Sequence, residues 1–255
     1  MGEWQVAERP KRTDDIGEYL LSARSFEEYV AMFCLDDEDL RGAILDCPGG
    51  GASFTAAACS QGIEAIAIDP VYVRPTEEIA SQVLAELERG ESWTRATAGR
   101  YRWDFYGSPE GHARLRRASA EAFVRDLAEH RERYRAGSLP CLPFADNAFD
   151  LVLCSHFLFT YSDRLSAQFH HAALVELARV SRTEARVFPL VHHAGRHDEP
   201  LIERLIDELT EEGLSAEVRS VNYEFQQGAS AMLVVAKGSL NDRPNDIPAR
   251  GRARR

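Results

Sequence analysis

The chain has 255 residues, 44% of them hydrophobic and 28% charged, with a formal net charge of −11. That length holds one large α/β domain or two small ones, and the acidic balance argues against a general nucleic-acid or anionic-membrane surface, which needs concentrated positive charge. Apolar runs such as Ala43-Ile44-Leu45 and Leu151-Val152-Leu153 are too short to span a bilayer.

The opening Met-Gly-Glu-Trp-Gln lacks the apolar core of a signal peptide. Cys34, Cys47, Cys59, Cys141 and Cys154 are scattered without a CxxC pair, which suits reduced thiols and a cytoplasmic location rather than a disulfide framework or a zinc site. The first dozen residues read as a mobile polar lead. Helical spacings of Ile16, Tyr19, Leu20, Tyr29, Val30 and Phe33, with Ser25 as an N-cap, predict two short helices before residue 42.

A strand is expected at Ala43 to Leu45, ending in the turn Asp46-Cys47-Pro48-Gly49-Gly50-Gly51. The alanine-rich Ser53–Gln61 suits a helix closed by Gly62, and Glu64–Asp69 a second strand. Together these form a right-handed βαβ unit. A long helical insertion follows, at about 72–135. It has an amphipathic helix at Thr76–Arg89, an aromatic cluster (Trp93, Tyr101, Trp103, Phe105, Tyr106) and a helix from Ser108-Pro109-Glu110 to about Tyr134. The aromatic cluster either lines an acceptor pocket or packs the insertion on the sheet, and the helix after it, with Arg residues from Arg114 to Arg135 interleaved with Glu121, Asp126, Glu129 and Glu132, reads as a solvated, salt-bridged face.

Gly137–Phe144 is loop-like, and Phe149–Phe159 is an apolar strand leading into a loop. A helix at Leu165–Val180, a strand at Ala185–Val191 and a helix at Glu199–Glu212 come next. Ala216–Tyr223 and Ala231–Ala236 close the domain as an antiparallel hairpin. The Arg-rich tail at 239–255 reads as disordered.

Alternating strands and helices predict an α/β three-layer sandwich with a mostly parallel seven-stranded sheet, an N-terminal helical segment at 1–41 and a domain at 42–238. Ligands in such sheets bind at the carboxyl ends of the strands, beside the topological switch point. Glycines there admit close backbone approach, and an acid ending the second strand, Asp69, can accept both hydroxyls of a ribose. The residues thus ask for a nucleoside-bearing cofactor. A nicotinamide cofactor fits poorly, because Gly49-Gly50-Gly51-Ala52-Ser53-Phe54 does not make GxGxxG.

The segments Ile44–Ala52 and Ala65–Asp69 resemble the first two cofactor motifs of class I S-adenosylmethionine (SAM)-dependent methyltransferases. Leu142-Pro143-Phe144-Ala145-Asp146-Asn147-Ala148-Phe149-Asp150-Leu151-Val152-Leu153-Cys154-Ser155-His156 resembles a run of that family's small-molecule branch. The likeness covers about 42–237, interrupted by the insertion. Pro48 and Ala52 stand where the family has the first and third glycines of the turn, and Ser138 where it has an acid.

The resemblance implies a Rossmann-like fold and SAM as cofactor. It places Asp46, Cys47, Pro48, Gly49, Gly50 and Gly51 by the methionine moiety and ribose, and Asp69 on the ribose hydroxyls. Pro70, or Val71, would pack on adenine and Ser138 and Leu139 would lie at its edge, with Cys154 and Ser155 beside the transferable methyl. It implies in-line methyl transfer to a small-molecule substrate, with His156 as first candidate base or substrate orienter and Tyr161 as second. A structural, hydrogen-bonded role is the alternative for His156. His192 and His193 also follow a strand and could face the pocket. His192-His193-x-x-x-His197 has ligand-type residues but no acid or Cys at matching spacing, so no metal is expected. The rival to an enzyme is a methyltransferase-like fold serving as a non-catalytic binding module.

Overall fold

Short apolar runs punctuated by glycine and proline become the strands of one sheet. The computed structural model describes residues 19–238; the polar lead and the Arg-rich tail at 239–255 lie outside the described residues. The strands are β1 (Ile44–Asp46), β2 (Ala65–Ile68), β3 (Tyr134–Arg135), β4 (Phe149–Ser155), β5 (Ser181–Phe188), β6 (Leu214–Ser220) and β7 (Ala231–Lys237), in the order β3-β2-β1-β4-β5-β7-β6. Strands β1 to β5 pair in parallel, and β7 runs antiparallel to both β5 and β6. This is the Rossmann-like sheet with a reversed C-terminal hairpin that the pattern predicted.

The strand order reverses at β1, which pairs with β2 on one side and β4 on the other. Chains leaving those carboxyl ends turn to opposite faces and leave a crevice. Both faces are covered, as apolar parallel strands require. On one, Val152 and Cys154 of β4 and Leu233 and Val235 of β7 meet helices α5 (Ala167–Val180) and α6 (Glu199–Glu211) through Leu174, Leu177 and Leu205. On the other, Leu151, Leu153 and Val234 meet α1 (Phe26–Phe33) and α2 (Phe54–Ser60) through Tyr29, Phe33, Phe54 and Ala58. The odd–even split along β4 is the two-residue strand period.

Ser25 caps α1 with a full capping box. Its hydroxyl accepts from the Glu28 N–H while the Glu28 carboxylate accepts from the Ser25 N–H. The segment before it, predicted helical, has no helix from Tyr19 to Arg24.

A further correction falls in the insertion. Helix α4 (Pro109–Glu129) stops five residues before the predicted end at Tyr134, because Tyr134 belongs to β3 and pairs with Ala67. The Tyr134 hydroxyl donates to Asp126 at 2.8 Å and its ring packs edge-on to Tyr72 and Phe123. Helix α4 buries Phe123 and Leu127, and α3 (Thr76–Ala96) buries Ile79 and Val83, in one cluster with Ala67, Tyr72 and Tyr134 at the sheet edge, where Val83 also lies over Gly51 of the glycine turn.

Candidate functional site

The turn after β1 is held from three sides. The Gly49 N–H donates to the Ile68 carbonyl at 3.0 Å, the Tyr72 hydroxyl donates to the Gly50 carbonyl at 2.7 Å, and the Gly50 N–H donates to the Asp69 carboxylate at 3.0 Å. The other Asp69 oxygen accepts from the Val71 N–H at 2.9 Å. Gly50 has φ +53°, a left-handed backbone that glycine adopts without strain. A Cβ at Gly49 would lie 2.7 Å from the Ala67 Cβ and 2.8 Å from the Tyr72 hydroxyl. We expect Gly49→Ala to displace the turn and lower stability by about 1–3 kcal/mol, the usual cost of overpacking, read as a shifted urea midpoint.

Beneath the turn, Asp46 is 1% exposed; its Oδ1 accepts from the Tyr29 hydroxyl at 3.0 Å, and its Oδ2 has no hydrogen-bond partner among the described residues. Burial, reinforced by the charge of Asp69 and opposed by the Tyr29 bond, raises the Asp46 carboxyl well above the usual carboxylate range. Burial also raises Asp69, offset by its two backbone donors.

A cavity of about 310 Å³ opens at the switch point, within the size of small-molecule sites. Of the predicted cofactor residues it brings together Cys47, Pro48, Gly49, Gly50, Asp69, Pro70, Ser138, Leu139 and Ser155, joined by His156 and Tyr161. Three do not line it. Asp46 lies below the turn, Gly51 turns toward Val83, and Cys154 is fully buried on the α5 face of the sheet. Cys154 is the odd-one-out of strand alternation, since Ser155, one residue on, faces the cavity instead.

A second cavity, of about 150 Å³, adjoins the first. Residues Leu20 to Ser22, Arg24, His156 and Tyr161 line both. Its other walls come from Leu87 and Trp93 of α3, His112 and Arg116 of α4, Tyr101, His193 and Phe225. Phe225 is sandwiched between Tyr101 and His112, with ring centroids at 4.5 and 4.6 Å and planes within 16°. The aromatic cluster therefore both packs and lines, with Tyr101 doing each.

His156 has φ +52°, contacts the Ser155 hydroxyl through Nδ1 at 2.9 Å, and sets its ring edge-on to Phe188. Burial and then the charges of Arg24 and Arg116 hold its pKa well below the ordinary histidine value, so the ring is neutral at physiological pH. The Tyr161 hydroxyl accepts from the Leu20 N–H at 3.0 Å, and burial raises its pKa. It therefore keeps its proton and can donate it in a hydrogen bond.

Under the shared wall lies a buried ion cluster. Glu28, with a side chain 0% exposed, accepts from Arg116 at 2.5 and 2.6 Å, from the Tyr106 hydroxyl at 2.6 Å and, more weakly, from Arg24 at 3.4 Å. Burial would raise its carboxyl, but the charges of Arg116 and Arg24 and the bonds from Arg116 and Tyr106 outweigh it and hold it at about 2.

The histidine pair after β5 gains the acid that spacing did not reveal. Asp163, His192 and His193 offer ligand-type atoms all within 4.8 Å of one another. However, the Ala194 N–H donates to His192 Nδ1 at 3.1 Å, which places the neutral ring's proton on Nε2, 3.1 Å from Asp163 Oδ1. That nitrogen then carries the proton and offers no lone pair to a cation. His197 stands apart, packed against Gly228.

Sequence reasoning missed Arg24, Tyr29 and Tyr72. Tyr29 read as one more apolar position of α1, Tyr72 sat unmarked after the Asp69-Pro70 turn, and Arg24 lay in a stretch read as helical. Tyr29 and Tyr72 act across the fold on Asp46 and Gly50, partners that local spacing does not bring near, whereas Arg24 touches Glu28 four residues on.

The family described as "Methyltransferase domain" matches residues 106–188. An uncharacterised protein of Methanocaldococcus jannaschii is 29% identical over 219 residues, covering 86% of this chain and 96% of that one. Magnesium protoporphyrin IX methyltransferase from Synechocystis, solved with bound SAM, is similar at 13% identity with a TM-score of 0.44, over 83% of this chain and 78% of that one. A protein of Pyrococcus horikoshii is similar at 13% identity and a TM-score of 0.44, over 82% and 87%.

Proposed function

We propose that this chain, which matches the methyltransferase-domain family over residues 106–188, is a class I SAM-dependent methyltransferase that transfers the methyl of SAM to a small-molecule acceptor held in the smaller cavity. The observation that carries the reading is the junction of the two cavities at His156 and Tyr161, where a donor and an acceptor would meet. The larger cavity fits the cofactor on its own terms. The two Asp69 oxygens each accept one backbone N–H and keep lone-pair sites for the ribose hydroxyls. Gly137, Ser138 and Leu139 line the same cavity and would form the wall for adenine.

When bound, SAM supplies an electrophilic methyl on a sulfonium, displaced in line by the acceptor's nucleophile. The chain's own task is to orient that nucleophile and exclude water. The neutral His156 is a poor full-charge base, because protonating it would bury a cation beside Arg24 and Arg116. It serves as a hydrogen-bond orienter, with the Tyr161 O–H as a second donor. An acceptor that arrives ionised, or that is a neutral amine, needs no stronger base.

Calorimetry of the full chain with SAM and S-adenosylhomocysteine, followed by transfer of labelled methyl into a small-molecule extract, tests the reading. Binding of both with label appearing in an extract component is expected. No binding of either by folded protein at high micromolar concentration would falsify it. Tight binding without transfer to any extract component would favour a non-catalytic binding module.

A further inference from the structure

We propose that the acceptor held in the smaller cavity is a single aromatic ring bearing an acidic oxygen, bound as its anion and methylated on that oxygen. The inference rests on the methyltransferase reading and deepens it by naming the acceptor's chemistry.

Size and walls select the ring. The smaller cavity measures about 150 Å³, a volume that in an apolar protein interior admits one benzene ring. Trp93, Tyr101, His112 and Phe225 line it, and the near-parallel stack of Tyr101, Phe225 and His112 fixes that wall. Aromatic walls favour a flat ring, which can stack on them or meet them edge-on, over a flexible chain of equal area.

Charge selects the anion. The arginines and acids that line the cavity are Arg24, Arg116, Arg117, Glu86 and Glu91. Glu86 and Glu91 pair with Arg89 and Arg95 of their own helix, at 2.7 and 2.6 Å, and so are offset there. Under the shared wall one carboxylate answers two guanidinium groups. Glu28 holds Arg116 at 2.5 and 2.6 Å and is ion-paired with Arg24 at 3.4 Å. A guanidinium does not deprotonate, so this cluster keeps one positive charge in excess. Exposed Arg117 adds another.

The neighbouring histidines register that field. Burial and then Arg116 hold His112 at about 3, with Glu28 opposing and Arg24 adding to the shift. Burial, Arg24 and Arg116 likewise keep His156 neutral. The part of each shift that comes from the arginines favours, by the same sign, loss of a proton from an acidic oxygen placed there. Two hydroxyls can then donate to that oxygen. Thr160 is 8% exposed and lines the cavity, and its Oγ1 has no hydrogen-bond partner among the described residues. Next to it, the Tyr161 hydroxyl accepts from the Leu20 N–H and keeps its own proton to give.

An anion also removes the need for a base. With His156 a poor proton acceptor, an amine would leave a cationic product beside Arg24 and Arg116. An oxygen anion leaves none. Its lone pair forms the new C–O bond as the methyl–sulfur bond breaks, that bond's electron pair returns to sulfur as a neutral thioether, and no proton moves.

Four small ligands of similar shape provide the test. Benzoate is the anion, benzamide its neutral counterpart and benzamidine its cationic one, while cyclohexanecarboxylate keeps the charge without the flat ring. Each is titrated by calorimetry into the full chain loaded with S-adenosylhomocysteine, as wild type and as Arg24→Gln, with thermal melts to confirm folding. Benzoate should bind about tenfold or more tighter than benzamide or cyclohexanecarboxylate, with benzamidine weakest. Arg24→Gln removes the excess charge but leaves the Glu28–Arg116 pair. It should shrink the benzoate-to-benzamide ratio by about tenfold, the worth of a hydrogen bond to a charged group, and leave benzamide unchanged. Benzoate no tighter than either comparison ligand, a ratio untouched by Arg24→Gln, or no binding of any of the four at millimolar concentration overturns the assignment alone. In the labelled-extract transfer the methyl should be found on oxygen, as an alkali-labile ester from a carboxyl or a stable ether from a phenol. A methyl on nitrogen, sulfur or carbon overturns the assignment too. A wild type that does not bind S-adenosylhomocysteine overturns the methyltransferase reading and takes this assignment with it.

Discussion

Asp69→Ala is expected to lower affinity for S-adenosylhomocysteine by roughly a hundred- to ten-thousandfold, the largest ligand effect of any single substitution in the chain. Two losses combine. On the proposed role of Asp69, the ribose hydroxyls would lose their charged acceptor, at about 1.5–3 kcal/mol for each such bond. The Gly50 and Val71 N–H groups lose theirs as well, so the turn that shapes the cavity is released at the same moment. Asp69→Asn should not restore binding. Its amide offers one acceptor oxygen, and its NH2 would face the N–H of either Gly50 or Val71, donor against donor. Titration calorimetry of both variants checks this. An Asn variant with wild-type affinity would show that the carboxylate's charge and its double acceptance are dispensable.

Glu28→Gln should be the most destabilising substitution, costing about 3–5 kcal/mol, because it leaves the buried Arg116 without its counter-charge. The same carboxylate governs acid sensitivity. Its pKa lies at about 2 in the folded chain against 4.5 for the free group. A depressed carboxylate pKa contributes stability that is fully present above the unfolded value and is lost as pH falls through the folded one. The contribution therefore holds above about pH 4.5 and fades between there and about pH 2. Its size, from a shift of that order, is about 3 kcal/mol. Urea denaturation across pH should show a steep acid limb in wild type and a flatter one in Glu28→Gln. Parallel limbs would refute the assignment of acid sensitivity to this ion pair.

The parts of the fold that reveal themselves in sequence are those whose cause is local. The apolar strand, glycine turn, helix and second strand from Ala43 to Asp69 announce a βαβ unit because every signal falls within one supersecondary element. The Ser25 capping box is legible for the same reason, since its two partners are three residues apart. Strand β3 is not legible. It is two residues long, too short for any alternation, and it exists because Ala67 and Ile68 offer an edge to pair with.

The candidate site divides along the same line. The turn, Asp69, Ser138-Leu139 and Ser155-His156 follow strand ends, and strand ends can be read. The Glu28–Arg116 pair joins residues 88 positions apart, and Asp163 reaches His192 from another loop. Nothing in composition or spacing points to either. Cys154 shows the limit of motif matching. A motif names a run of residues, but the strand's alternation decides that Ser155 faces the cavity and Cys154 the core.

The two cavities differ in where their walls originate. The larger is built from strand ends that the sheet itself requires, whereas the smaller is built from the insertion and from Phe225 beyond β6. They share little more than the strap from Leu20 to Arg24, His156 and Tyr161. Selection can therefore rewrite one without disturbing the other. On the proposed function, change at Trp93, Tyr101, His112 or Phe225 would redirect the chain to a new acceptor while its donor site is inherited intact. By this geometry, descendants of one ancestral chain could diverge in what they modify while continuing to share the reagent they modify it with.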